Sequence, residues 1–266
     1  MSRIGSLGFG EIGQSISRLY DKPVTVKDLN RIDDGFEELD VLQVCIPWSE
    51  EFADIVLEEM YATGAKLTII NSTIKPGTTK TIVDRSFGKL PVVHSPVRGM
   101  HPDLTESIQT FIKYIGADDI SFSLAAEEHF KSIGVKTKSF MPSTSTEVGK
   151  LLSTSYYGII IAWHAEMKRY CDKHGVDFEV MKDFNNSYND GYRKMGRGNV
   201  VRPTLDPPEG MIGGHCVRPN AEMILEDFNS DMLDDIVNCN DGGLSAKDKL
   251  EELQSYITWE ELGGSL

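Results

Sequence analysis

Gly8-Phe9-Gly10-Glu11-Ile12-Gly13 sets three glycines at GxGxxG spacing. The first permits a tight turn, the second lets backbone approach a pyrophosphate, and the third lets a helix close onto a strand. A helix opening at Glu11 adds N–H donors and partial positive charge for a phosphate. Phe9, Glu11 and Ile12 are therefore counted with the three glycines as cofactor-contacting. Asp28, at the end of the next apolar run, can accept the hydroxyls of an adenosine ribose, which favours NAD. Asn30 and Arg31 follow at once and could hold a 2′-phosphate, so NADP stays open. A second kind of chemistry is available at Cys216, which closes a Gly213-Gly214-His215 loop with no apolar reason to hold a thiol. Cys45 and Cys171 read instead as small buried hydrophobes. His94, His101, His164 and His215 show no HxxxH-type spacing, so no metal is expected.

The elements that must position these groups follow from the apolar pattern. Strands are expected at Arg3–Leu7, Val24–Lys27, Val41–Ile46, Leu67–Asn71, Val92–His94 and Phe111–Ile115. Helical spacing fills the gaps at Glu11–Tyr20, Glu50–Tyr61, Thr78–Phe87 and Ser123–Ser132. Repeated strand–helix alternation implies an α/β fold, a Rossmann-type doubly wound parallel sheet with helices on both faces. The texture changes near Met141. A long helix is expected from Ser145-Thr146-Glu147 to about His174, then further helices at Asp177–Tyr192, Ala221–Phe228 and Ala246–Tyr256. Residues 1–143 are thus read as a dinucleotide-binding domain, and 144–266 as a mostly helical second domain with a C-terminal tail.

Composition narrows the setting. In 266 residues, 27 basic against 41 acidic side chains leave a net charge of −14, which argues against non-specific binding to nucleic acid or an anionic membrane. No apolar run reaches the roughly 20 residues of a membrane span. There is no basic-then-apolar leader at the N-terminus, and four scattered cysteines form no CxxC pair. A cytoplasmic location is expected.

Three further segments, in order behind the glycine loop, carry a resemblance. They are Ser72-Thr73-Ile74-Lys75-Pro76-Gly77-Thr78-Thr79, Glu147-Val148-Gly149-Lys150, and Gly213-Gly214-His215-Cys216-Val217. Together they resemble the UDP-glucose/GDP-mannose dehydrogenase family, the nucleotide-sugar 6-dehydrogenases, over about Arg3 to Asn220. The resemblance implies a two-step, NAD-dependent oxidation of a primary alcohol. A hydride leaves to give an aldehyde, a thiolate adds, a second hydride leaves, and water cleaves the thioester to a carboxylate. It makes Cys216 the nucleophile and Lys150 the stabiliser of the developing oxyanion. Thr73 would hydrogen-bond the reacting region and a hydrolytic water. Pro47, Ser72 and Thr73 would line the cofactor, while Arg98, Lys150, Thr154, Gly214 and Asn220 would face an anionic or nucleotide-sugar substrate. The same resemblance implies a homodimer built on the long helix, whose Leu151, Leu152, Tyr156, Ile159, Ile160 and Trp163 give it broad apolar faces.

The match departs from the family in several places. Val97 stands where the family has an acidic residue, Thr154 where it has an asparagine, and Asn220 where it has an aspartate that helps position water. Only 46 residues follow Asn220 (266 − 220), and they show no alternation of a third, nucleotide-gripping domain. Arg98, Arg193, Arg197, Arg202 and Arg218 could grip an anion bidentately in its place. Two other readings stay open. One is a two-electron 3-hydroxyacid dehydrogenase using Lys150 on the joining helix. The other is a dinucleotide-binding protein without catalysis.

Overall fold

A computed structural model describes residues 2–208, 212 and 216–239. The chain divides into two compact units, Met1–Lys150 and Leu151–Leu266. In the first, the strands β1 (Ile4–Leu7), β2 (Thr25–Asp28), β3 (Arg31–Ile32), β4 (Val41–Val44), β5 (Leu67–Ile70), β6 (Val92–His94), β7 (Lys113–Gly116) and β8 (Thr137–Phe140) form one sheet. Its order is β3-β2-β1-β4-β5-β6-β7-β8. Every residue of β4, β5 and β6 is buried, as central strands covered on both faces must be. The covering helices are α1 (Glu11–Ser17), α2 (Phe52–Thr63), α3 (Thr78–Arg85), α4 (Thr105–Thr110) and α5 (Ile120–Ser132). Phe52, Val56 and Met60 of α2, Ile82 of α3 and Phe130 of α5 join the strands in one core.

The sheet is mostly parallel, and two pairings depart from the all-parallel expectation. β3 runs antiparallel to β2, with Lys27 opposite Ile32 and Asp28 opposite Arg31. β7 runs antiparallel to β6, with His94 opposite Gly116. The apolar pattern also misses β3, α4 and β8. β8 is an edge strand whose Thr137-Lys138-Ser139-Phe140 sequence alternates half-buried and exposed, so no apolar run marks it.

A 30-residue helix, α6 (Thr144–Lys173), begins at the end of the first unit. The second unit adds α7 (Glu179–Lys194), a 3₁₀ turn at Gly198–Val200, α8 (Val217–Leu225) and α9 (Asp231–Asn238). Its core comprises Ala162 of α6, Val217 and Ala221 of α8, and Leu233 and Ile236 of α9, with Ile212 and Cys239. Gly158 allows the close approach of α6 and α8, because a Cβ there would press on Val217 and Ile236. The Gly/Pro-rich stretch after Gly196 is pinned to this unit by side chains. Asn189 donates to the Arg202 carbonyl at 2.8 Å and accepts from its amide at 2.7 Å. His164 accepts from the Leu205 amide at 3.3 Å. The expected helix at Ala246–Tyr256 lies outside the described residues.

Candidate functional site

The glycine loop joins β1 to α1. Gly8 takes φ +90°, and a Cβ there would lie 2.7 Å from the Cys45 carbonyl oxygen. A Cβ on Gly13 would collide with the Gly8 carbonyl, so the helix can close on the strand only with glycine at that position. At Gly10 a Cβ would meet nothing within 4 Å, which leaves its backbone open to an approaching group. The first and third glycines thus answer to packing and the second to open space. The loop is closed from the side by Asp28. Its Oδ2 accepts the Phe9 amide at 2.5 Å and its Oδ1 accepts the Leu29 amide at 2.7 Å. The carboxylate keeps further lone pairs for two neighbouring hydroxyls. Arg31 is held by Asp33 through two bonds of 2.7 and 2.8 Å, and its guanidinium lies 5.0 Å from the centre of the Phe9 ring. Ile12 packs on the core. Glu11, first in α1, pairs through Oε2 with His101 Nδ1 at 2.5 Å.

The ends of β4 and β5 meet this loop. Gly8 rests on Cys45 and Ile46, and exposed Pro47 follows. Ser72 Oγ donates to the Ile46 carbonyl at 2.5 Å, so Ser72 is a tie between the two strand ends. Thr73 comes next and is half-buried.

Past Thr73 the chain is held by three residues that the sequence patterns did not mark as site residues. His94, fully buried at the end of β6, contacts the Ser72 carbonyl through Nε2 at 3.0 Å and Thr146 Oγ1 through Nδ1 at 2.8 Å. A carbonyl can only accept, so the proton sits on Nε2 and Nδ1 accepts from the Thr146 hydroxyl. Burial drives this imidazole down to about 3, so it is neutral. Glu147, with no exposed surface, accepts the Gly77 amide at 2.5 Å and the Thr79 amide at 2.8 Å. Lys150, half-buried, stands one turn farther along α6, near enough to His94 and to Lys113 for its charge to act on both. Thr154, also half-buried, follows after one more turn.

Lys113 lies beneath this arrangement at 4% exposure. Its Nζ donates to Asn71 Oδ1 at 3.0 Å and to the Ser95 carbonyl. Asn71 donates to Gln43 Oε1 at 2.8 Å, Gln43 donates to the Tyr20 hydroxyl at 2.7 Å, and that hydroxyl meets His129 at 2.8 Å. Burial brings the Lys113 ammonium down to about 7 and pushes the Cys45 thiol up to about 12, which leaves Cys45 an inert thiol. Val97, where the family carries an acid, is a buried core residue. Arg98 lies with its guanidinium 4.6 Å from the Tyr114 ring centre and donates to the Ile112 carbonyl at 3.0 Å.

In the second unit, Cys216 is half-buried and directly precedes α8. One turn on, the Asn220 amide N–H donates to the Cys216 carbonyl at 3.2 Å. The Asn220 side chain is buried, and its Nδ2 has no hydrogen-bond partner among the described residues. Gly214 lies outside the described residues. Three of the arginines proposed for an anion are engaged within this unit. Arg193 pairs with Asp190, Arg218 pairs with Glu222, and the Arg202 guanidinium stacks 3.6 Å over the Tyr188 ring.

No family model matches the chain. It is similar to UDP-N-acetyl-D-mannosamine dehydrogenase of Methanococcus maripaludis, 27% identical over 223 residues, covering 78% of this chain and 49% of that protein. The chain spans about half the length, or less, of the curated relatives it matches. In fold it matches UDP-D-ManNAc dehydrogenase of Pyrococcus horikoshii with a TM-score of 0.75 at 18% identity, over 98% of this chain and 71% of that one. It also matches 3-hydroxyisobutyrate dehydrogenase of Mycobacterium tuberculosis with a TM-score of 0.64 at 14% identity, over 89% of this chain and 91% of that one. By sequence this chain is similar to UDP-N-acetyl-D-mannosamine dehydrogenases, and its fold matches those of solved UDP-sugar dehydrogenases.

Proposed function

We propose that this chain carries the cofactor-binding and central parts of an NAD-dependent dehydrogenase acting on the alcohol of a nucleotide sugar. The observation that supports this most is the face of the first unit at the C-terminal ends of β1, β2, β5 and β6. It holds a glycine loop closed by Asp28, the Ser72–Thr73 turn, and the start of α6 with Lys150. The loop fits a dinucleotide, because Gly10 leaves its backbone uncovered and Asp28 keeps acceptor capacity for ribose hydroxyls. The Asp28 carboxylate and the engagement of Arg31 by Asp33 favour NAD over NADP. When bound, the nicotinamide accepts the hydride.

The chain's own residues then have separable roles. Lys150 offers an ammonium to the oxygen from which a proton leaves, stabilising negative charge as it develops. Thr73 offers a hydroxyl to the same region. Cys216 is the proposed nucleophile, adding to the aldehyde to give a thiohemiacetal, which becomes a thioester by losing a second hydride to a second NAD. Asn220, one turn from Cys216, brings a buried amide where the family has a carboxylate. An amide can donate to an oxyanion and cannot take a proton from water, so thioester hydrolysis is the slower half. Relatives named for UDP-N-acetyl-D-mannosamine make a UDP-amino sugar the first substrate to test. We further propose residues 1–143 and 144–266 as the functional domains and a homodimer through α6, in a reducing, cytoplasmic setting.

The test is the count of NADH formed per limiting substrate, read by absorbance. UDP-N-acetylmannosamine, UDP-glucose and small hydroxy acids are supplied in turn. Two NADH per nucleotide sugar are expected, falling to one or none in Cys216→Ser. Full double turnover in Cys216→Ser would overturn the thioester route. One NADH per hydroxy acid, unaffected by Cys216→Ala, would establish the second reading. That reading has one observation in its favour: the fold of this chain also matches that of a 3-hydroxyisobutyrate dehydrogenase over 89% of its residues.

A further inference from the structure

We infer that Glu147 is a positioning residue of this site, clamping the loop that carries Thr73 onto the helix that carries Lys150. The inference rests on the dehydrogenase reading above for its functional meaning. Its structural basis is separate. Thr146 and Glu147 are consecutive, and they hold the two ends of one loop. Thr146 reaches His94, which holds the Ser72 carbonyl at the start. Glu147 takes the amides of Gly77 and Thr79 at the finish. Thr73 to Pro76 bow between these two ties, and Lys150 follows Glu147 by three residues, on the same side of α6.

The chemistry of the clamp depends on a carboxylate. Gly77 has φ +92°, a conformation that favours glycine, and it precedes α3. The first amides of α3 lack partners within the helix and carry partial positive charge. A carboxylate offers one oxygen to each of two amides, as Glu147 does. Glutamine offers one oxygen and an NH₂, which would face one of the two N–H groups donor to donor. A fully buried carboxylate is costly unless such donors meet it, and burial does raise this one above its ordinary value. A helix start at a surface could be capped by serine or water at no such cost. The buried charge instead joins segments about 70 residues apart, and those segments carry the two groups the reaction would use.

The test uses the whole chain and the variants Glu147→Gln and Glu147→Asp. Hydrogen exchange read by mass spectrometry is expected to quicken about 10- to 100-fold in the peptide covering residues 73–80 of Glu147→Gln. Peptides from β4 and from the glycine loop should keep their rates. Lys150 should change its rate of trace acetylation severalfold relative to the other lysines. With an active substrate, kcat should fall about 10- to 100-fold while KM for NAD stays within twofold, as misplacement of a reacting group requires. Glu147→Asp, which keeps the charge on a shorter stem, should fall between. It also serves as the reading if Glu147→Gln does not fold.

Unchanged exchange at 73–80 and unchanged Lys150 acetylation would overturn the clamp. A drop in kcat matched by an equal rise in KM for NAD, with exchange quickened throughout the first unit, would also overturn it by reducing Glu147 to a general stability residue. A wild-type chain that binds NADH and oxidises nothing would sink the activity reading alone, since exchange and acetylation do not depend on turnover.

Discussion

Lys113 is the residue whose surroundings most contradict its type. Lysine is ordinarily solvated, yet this one is buried with two oxygen acceptors, and desolvation lowers it to about 7. In the unfolded chain it titrates near 10.4. Between those values the unfolded state holds one more proton than the folded state. Stability therefore rises with pH across that window, by up to about 1.4 kcal/mol per unit from this group. Urea midpoints measured from pH 7 to 9.5 should show the rise, and Lys113→Met should flatten it whichever way its absolute stability moves. An identical slope in the variant would mean that Lys113 is not desolvated as described. His94 and Glu147 share the lesson: each is a polar side chain in the interior whose partners lie at least 20 residues away. Nothing in local spacing shows which distant groups they meet. The glycines at 8, 10 and 13 are the opposite case, because a turn and a close approach are demands that glycine alone meets.

At the scale of elements, α6 carries an unresolved contrast along its own length. Its first turns bear the buried Thr146 and Glu147, whereas Tyr156 and Trp163 are 66% and 61% exposed. Leu152 and Tyr170 are exposed as well. Large apolar side chains in one row along a helix are a costly surface for a monomer. The proposed homodimer covers them. Light scattering at micromolar concentration should give twice the chain mass, and Tyr156→Glu combined with Trp163→Glu should give the monomer with the helical content kept. A wild-type monomer would remove α6 as a dimer element. The elements missed in the sequence were those without an apolar signature. β8 sits at the sheet edge with two exposed positions, β3 has two exposed residues, and α4 buries Ile108 alone. The long, strongly periodic elements were legible because burial wrote their period into the chain.

For the molecule as a whole, two buried histidines couple stability to acid. His94 and His129 are both held neutral by burial, down to about 3 and about 4. Unfolded, each takes a proton near 6.5. From pH 6.5 down to about 4 the unfolded chain thus binds up to two more protons than the folded one. Stability is lost as pH falls through that range, by up to about 2.7 kcal/mol per unit from the pair. The double variant His94→Gln with His129→Gln should unfold at a pH-independent urea concentration over more of this range than the wild type. Equal acid sensitivity in the two proteins would assign the effect to other groups. The net charge of −14 adds no attraction for polyanions at neutral pH.

The amino-acid sequence alone determined the α/β character, the glycine loop with its acid at Asp28, and the three segments that resemble nucleotide-sugar dehydrogenases. These are local properties: periodicity reports which side faces a core, and turn glycines report backbone demands. The tertiary structure decided which polar groups go inside and what they meet there. It made Ser72 a strand tie, put Val97 into the core, engaged Arg193, Arg202 and Arg218 with neighbours, and joined Glu147 to amides 68 and 70 residues away. A buried polar group is costly unless its partners are in place. Those partners exist only once distant strands and helices have packed, so their pairing leaves no period and no spacing to read.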